Sequence, residues 1–525
     1  MRKRIGIIIV LIFILLMAVY WQDVSAGITT RYMQIRIAEE EMPGGYFPTD
    51  STGGNPSIRF NDHSIAYDDD GNIYYVPQNL YAEDWTGSFT VETGELFWAE
   101  DEYWEHFSEA IADGHVFTMY HINEEDQSLY SYQIVFTGMP VMTLSIGGYD
   151  EENAEYHGNM AVTDPYSKGE QYRSADCIYH VRGGSSRHYK KKSYKLELEE
   201  NLSLLGMRKD DDWILNALYD DAGLIHNKFS TDVWRNIAAD NSVANDEGAQ
   251  AEYIELFVDH TYMGVYALTE RIDKKELNLS QGSILYKCFS WEIPERDNQE
   301  EDFGFGESFE IKYPDPYTRD MWHPLQQYTD VFFRKGNVSM QEAGKILNIE
   351  NAIDYNIFML LAYGCDNLRK NTYFAAEPYY GGYKFKKIPW DMNATWGNAW
   401  VGEPKSNYTL YDADTIYDTE MWCTDIFKLY GCNEEEVTSL LYTRWQELRK
   451  DILSDEKLRN QLDEQFGYLH QSGAYNRNYI RWTNGTEYWK DTYIYEYTEG
   501  RLQFLDDYFA EPYFDSISIW NEGVR

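Results

Sequence analysis

The chain has 525 residues, 43% of them apolar, enough for two or three domains with a large core. Lys and Arg number 45 against 88 Asp and Glu, a formal charge of −43, which argues against nucleic acid and anionic membrane surfaces and favours basic partners or divalent cations. The five cysteines show no Cys-x-x-Cys and no zinc spacing, so they build neither a disulfide scaffold nor a zinc site; Cys423 and Cys432 would pair only in an oxidising compartment. At the start, Met1-Arg-Lys-Arg4 precedes an apolar run from Ile5 to Tyr20, followed by Val24-Ser-Ala26. A basic start, an apolar run and small residues mark residues 1–26 as an export signal peptide. Left uncleaved, residues 5–21 would be a membrane anchor with the body outside.

Residues 27–140 read as a β-rich module. Met33–Ile37, Ile73–Val76, Phe117–Ile122 and Tyr130–Thr137 are strand-like, and Asp68-Asp-Asp-Gly71 is a turn or, with an incomplete ligand series, a calcium loop. Trp85, Trp98 and Trp104 are either core or a stacking face for a glycan.

Residues 141–400 carry the chemistry. Val141–Ile146 and Ile178–Val181 are strands, and the second runs into Arg182-Gly-Gly-Ser-Ser-Arg187. Lys190-Lys-Lys-Ser-Tyr-Lys195 follows, and alternation from Ser193 to Leu198 puts Ser193, Lys195 and Glu197 on one face. In an acidic chain this basic cluster, with glycines that let backbone amides approach, is an anion site or else an edge strand guarded by lysines. Trp213–Ala217 is a strand and Leu224–Ile237 a helix. Tyr253–Val258 and Met263–Leu268 form a hairpin around Asp259-His260-Thr261, ending in Thr269-Glu270-Arg271-Ile272. Residues 289–320 are acidic and rich in Gly and Pro, as in a surface loop or lid.

From Ile349 to Gly397 the order of elements matters most. Ile353, Ile357, Leu360 and Leu361 recur at helical spacing, with Asn351 as a candidate N-cap. After Gly364 comes a polar loop in which Asp366 and Asn371 stand at Asp-x-x-x-x-Asn spacing. In a kinase catalytic loop that Asp accepts the substrate proton and that Asn holds magnesium. Strands Thr372–Ala375 and Tyr383–Ile388 lead to Trp390-Asp391, a lone carboxylate past an apolar strand end. Residues 401–525 are mostly helical, over Glu434–Leu453, Asp455–Leu469 and Glu487–Phe509. Arg477, Arg481 and Arg501 there either face the acidic remainder or are solvated.

Taken in order, six motifs resemble the CotH kinase family, the spore-coat-protein-H-like atypical kinases: Arg182-Gly-Gly-Ser-Ser-Arg187 with Lys191–Lys195, Leu215–Asp220 with Asn227, Tyr262–Glu270, Gly364–Asn371, and Pro389-Trp-Asp391 to Gly397. The resemblance implies an α+β, atypical protein-kinase-like two-lobed domain after the β-rich module, with 401–525 completing its helical part. It implies ATP with magnesium and transfer to serine or threonine of a protein, here a basic, Ser-rich one by charge complementarity. Carried over, Asp366 is the catalytic base, Asp391 and Asn371 the magnesium ligands, Lys195 the lysine on the ATP phosphates with Arg182 and Arg187 nearby, and Glu270 to Ile272 the hinge beside adenine. Asp232 is the candidate carboxylate for Lys195. Departures are Asn393 where the family usually has Asp, His226 where it commonly has Arg, and His260-Thr261 in the hairpin turn. The other reading the motifs allow is a catalytically silent structural or binding protein of the envelope or spore coat.

Overall fold

The computed structural model describes residues 58–82, 87–123, 127–241, 248–291, 297–334, 338–368, 370–398, 424–482 and 493–510, with short strands at Arg36–Ile37 and Phe47–Thr49. The leader at 1–26, the anchor at 5–21, Trp85 and the Cys423–Cys432 pair lie outside what it describes. The architecture is mixed α+β.

Eight strands form the central sheet: β1 (Val141–Leu144), β2 (Gly148–Asp150), β3 (Glu155–Thr163), β4 (Tyr172–Arg182), β5 (Ser193–Ser203), β6 (Lys209–Asn216), β7 (Ala251–Val258) and β8 (Thr261–Glu270). Their order is β1-β7-β8-β6-β5-β4-β3-β2. Because β1 pairs parallel with β7 and antiparallel with β3, seven of them close into a barrel, leaving β2 as a flap on β3. Alternation decides which side chains fill it. Tyr194, Leu196 and Leu198 point in, among Met142, Met160, Trp213, Ile254 and Leu268. Ser193, Lys195 and Glu197 point out. β5 lies between β4 and β6, so its lysines do not guard an edge. The β7–β8 hairpin turns on Asp259 and His260, both left-handed at φ 46° and 63°, the pairing that suits the twist of a two-residue loop.

A second, antiparallel sheet follows: β9 (Ile284–Cys288), β10 (Phe309–Tyr313), β11 (Thr372–Tyr379) and β12 (Gly382–Pro389), in the order β10-β9-β11-β12. The acidic stretch expected to be a surface loop supplies β10 and sinks Phe303, Phe305 and Phe309 into the largest core cluster. Its apolar residues outweigh its charge. Around this sheet pack α1 (His226–Asp240), α2 (Ile349–Ala362), α3 (Thr424–Arg449), α4 (Asp455–Gln471) and α6 (Tyr493–Ala510), while α5 (Ala474–Trp482) packs against β7 and β8 of the barrel. The N-cap of α2 is Asn348, whose side chain accepts from the Asn351 N–H at 3.0 Å. Asn351, the cap expected from sequence, sits in the first turn and donates to the Lys387 carbonyl at 3.1 Å. Arg501, fully buried, donates to the Leu360 carbonyl at 2.8 Å.

In the N-terminal module, Trp98 is buried against Trp104 and Phe117, so that ring belongs to the core and offers no open stacking face. Asp68 caps its own turn through the Gly71 N–H and accepts the Tyr262 N–H at 2.9 Å. The module is knotted to the barrel and to α5. Thr137 donates to Glu255 at 2.5 Å, and Arg477 grips both Glu255 oxygens at 2.8 Å and Thr137 at 2.7 Å. Arg477 is therefore a buried ion-pair partner and not a solvated surface residue.

Candidate functional site

A cavity of about 360 Å³ opens where the outer face of β4–β6 meets α1 and the loops at the ends of α2 and β12. The polar loop after α2 forms its floor. The helix stops at Tyr363, left-handed at φ 49°, and the chain turns into Asp366. Asn371, also left-handed at φ 56°, donates from Nδ2 to Asp366 Oδ2 at 2.9 Å, and Lys370 stands 3.6 Å from the same oxygen. Burial pushes the Asp366 carboxyl up to about 6, with Lys370 opposing the shift and Asp391 adding to it. Asp366 Oδ1 is buried without a hydrogen-bond partner of good geometry among the described residues.

This loop is tied to the one after β12. The Trp390 N–H donates to the Asn371 carbonyl at 2.9 Å, and the Asn367 carboxamide donates to the Trp390 carbonyl at 2.5 Å. The Met392 N–H donates to Asn227 of α1 at 3.0 Å. Asp391, held between these anchors, is left-handed at φ 60° and open to the cavity. A non-glycine residue there costs of the order of 1–3 kcal/mol, a cost that is borne where the surroundings over-determine the conformation.

Two further groups complete the acidic wall. Asn393 donates from Nδ2 to Asp220 Oδ2 at 2.6 Å. Burial, then Asp391, pushes the Asp220 carboxyl up to about 6. The same cavity also carries cations. Arg182 lies over the Trp390 ring at 5.9 Å, and Lys287 of β9 lies over Tyr373 at 5.6 Å. Gly183, at φ 112°, takes a conformation closed to other residues, since a Cβ there would strike Ser186 Oγ.

Compared with known proteins, residues 179–508 match the family described as CotH kinase protein. The chain belongs to that family. Among curated proteins, inner spore coat protein H of Bacillus subtilis (strain 168) is 24% identical over 232 residues, covering 42% of this chain and 59% of that relative's own length. The CotH match opens inside β4, so the N-terminal module and β1–β3 precede it.

The CotH-derived expectations divide in space. Asp366, Asn371, Asp391 and Arg182 line the one cavity. Lys195, Arg187, Glu270 and Ile272 are not among its lining residues. Lys195 does point outward on the strand beside Ser193, but its ammonium meets Glu197 and, at 3.4 Å, Asp212. Asp232, the expected partner of Lys195, pairs with Lys228 at 3.2 Å instead and accepts from Gln465. Arg187 is exposed on the turn after Gly184. Glu270 is buried where β8 leaves the barrel and accepts the N–H groups of Arg208 and Gln250 at 3.1 and 3.0 Å. Ile272 is a core residue with Leu285 and Tyr373. His226, at the position where the family commonly has Arg, meets Asp221 at 2.7 Å through Nδ1.

Sequence reasoning missed Asp220 and Lys287 as cavity residues. Asp220 sat inside a quoted motif. Lys287 is a lone cation in an otherwise apolar five-residue strand, the kind of exception that marks a buried polar job.

The oxygen donors gathered in the cavity, from Asp391, Asn371, Asp220 and Asp366, are all hard. Among the described residues no three His, Cys, Asp or Glu side chains converge into a cage. Magnesium takes one or two carboxylates and keeps its waters, so the residues present fit it.

Proposed function

We propose that this CotH family chain is an exported phosphotransferase that moves the γ-phosphate of ATP to a serine or threonine of a protein, with magnesium. The observation that supports it best is that Asp366, Asn371 and Asp391 share one cavity with Arg182 and Lys287. In this reading the barrel and the helical body are the two lobes, and Glu270–Ile272 is the hinge between them. Phosphoryl transfer asks a protein mainly for positioning and electrostatics. Asp391 and Asn371 would hold magnesium, which neutralises charge on the phosphate oxygens. Asp366 would orient the substrate hydroxyl and receive its proton. Asn371 fixes that carboxylate by its hydrogen bond, and Arg182 would steady the phosphate chain. A basic, Ser-rich protein is the substrate class that a chain of charge −43 attracts.

A second reading is a catalytically silent coat or envelope protein. Asn393 favours it, being neutral and already bonded to Asp220. The spore-coat name of the Bacillus subtilis relative supports a surface placement under either reading. Among the described residues no helix is long and apolar enough to cross a membrane, and residues 5–21 lie outside them.

Isothermal titration of the full chain with ATP separates the two. Magnesium-dependent binding that disappears in Asp391→Ala, together with transfer to a Ser-rich basic peptide, is the expected result. No binding at millimolar ATP would leave the silent reading.

A further inference from the structure

Two cations of the cavity lack an ion-pair partner among the described residues, although the Glu310 and Asp391 carboxylates act on Lys287 from farther off. Arg182 ends β4 of the barrel, and Lys287 is the last residue but one of β9 in the second sheet. Each rides on an aromatic ring, Arg182 on Trp390 and Lys287 on Tyr373, and those rings meet edge-on with centroids 6.1 Å apart. Neither cation forms an ion pair among the described residues. The carboxylate that faces Lys287 across the strand pair is Glu310, and Lys312 occupies it at 2.9 Å. Like charges brought together in a partly buried place need an anion between them. The same two side chains line the space above Gly183, Gly184 and Ser186, where backbone and hydroxyl groups add neutral donors.

We propose that Lys287 and Arg182 are a two-sided clamp for the polyphosphate chain of a nucleoside triphosphate, so that the phosphates bridge the barrel and the second sheet. The proposal rests on the phosphotransferase reading and deepens it. It gives Lys287 the part the resemblance assigned to Lys195, whose ammonium is engaged by Glu197 and Asp212 away from the cavity lining. Burial first, and then Arg182, push the Lys287 amine down to about 8, with Glu310 and Asp391 opposing.

Titration of the full chain at pH 7 with inorganic tripolyphosphate, without metal, tests the clamp apart from catalysis. Lys287→Gln and Arg182→Gln should each weaken binding about tenfold or more, as loss of a charge-assisted contact does, while Lys287→Arg keeps most of it. Thermal unfolding of each variant checks the fold, and retained binding in Lys287→Arg keeps the test valid if Lys287→Gln is unstable. Wild-type protein that ignores tripolyphosphate overturns the clamp. So does an unchanged affinity in Lys287→Gln, or a loss that appears in Lys195→Gln instead. Tripolyphosphate binding that depends on Lys287 in a protein that transfers no phosphate would uphold the clamp and sink the kinase reading. Magnesium–ATP binding that needs Asp391 but not Lys287 would do the reverse.

Discussion

The barrel interior and the cavity beside it share strands β4, β5 and β6, yet they follow opposite rules. Inside, alternate residues such as Tyr179, Leu196, Trp213 and Leu215 are apolar and buried. On the outer face the same strands carry Arg182, Ser193 and Asn216 toward a cavity whose loops bury Asp366 and hold Asn371 and Asp391 in left-handed conformations. One side minimises free energy by burial. The other accumulates desolvated charge and backbone cost that the first must offset. Stability and chemistry are separated by the thickness of one strand, and substitutions on the two faces should separate as well.

The largest effect is expected on the chemical side. Asp366→Ala should lower phosphoryl transfer by about 10²–10⁴, the usual worth of a positioned base, while leaving the unfolding temperature unchanged or higher because a desolvated carboxyl is gone. A variant that transfers at the wild-type rate would remove Asp366 from the mechanism. The Glu255–Arg477 pair, buried and bidentate, comes next: Glu255→Ala strands a buried guanidinium and should cost about 3–5 kcal/mol in denaturant unfolding. Leu196→Ala, inside the barrel, should cost about 2–5 kcal/mol and leave nucleotide affinity of the folded protein untouched. If it lowered affinity with little loss of stability, the separation of faces would be wrong.

The smallest effect concerns Glu276, buried near Glu270, where burial and then the Glu270 charge push its carboxyl up to about 7. A carboxyl raised above its unfolded value binds more protons in the native state. Its contribution to stability is therefore full below the usual carboxylate range and is lost as pH rises through about 7. Glu276→Gln should unfold at higher temperature than wild type at pH 8, with the gap closing toward pH 4; a gap that is constant with pH would contradict the assignment.

Local pattern reached a good part of this. The period-two run at Ser193–Leu198, the β7–β8 hairpin and the helix before Gly364 are visible because burial on one face writes itself into spacing. The Asp366–Asn371 spacing and Asp391 were legible because their loops are short and their order is fixed by chain direction. What escaped depends on partners far away in sequence. Closure of the barrel needs β1 to lie parallel to β7, more than a hundred residues later, and nothing in Val141–Leu144 encodes that neighbour. Lys287 stands out in sequence only as the one cation of an apolar strand, and what it shares a cavity with, Arg182, lies more than a hundred residues earlier. For Lys195 the alternation gave the face but not the position along the strand, and Glu197, two residues away, meets its ammonium.

The knot of Thr137, Glu255 and Arg477 bears on what counts as one unit here. The part recognisable as CotH begins at residue 179, inside a barrel strand, whereas the hydrogen bonds of that knot reach back to residue 137 and forward to 477. Next to Arg477 on α5, Asn478 accepts from the ammonium of Lys191, a lining residue of the cavity, at 2.9 Å. A gene fragment cut at the edges of the shared family region would leave Glu255 and Arg477 without their threonine and the barrel without β1, β3 and most of β4. What is inherited as a recognisable stretch and what must be made together to fold are different lengths of chain.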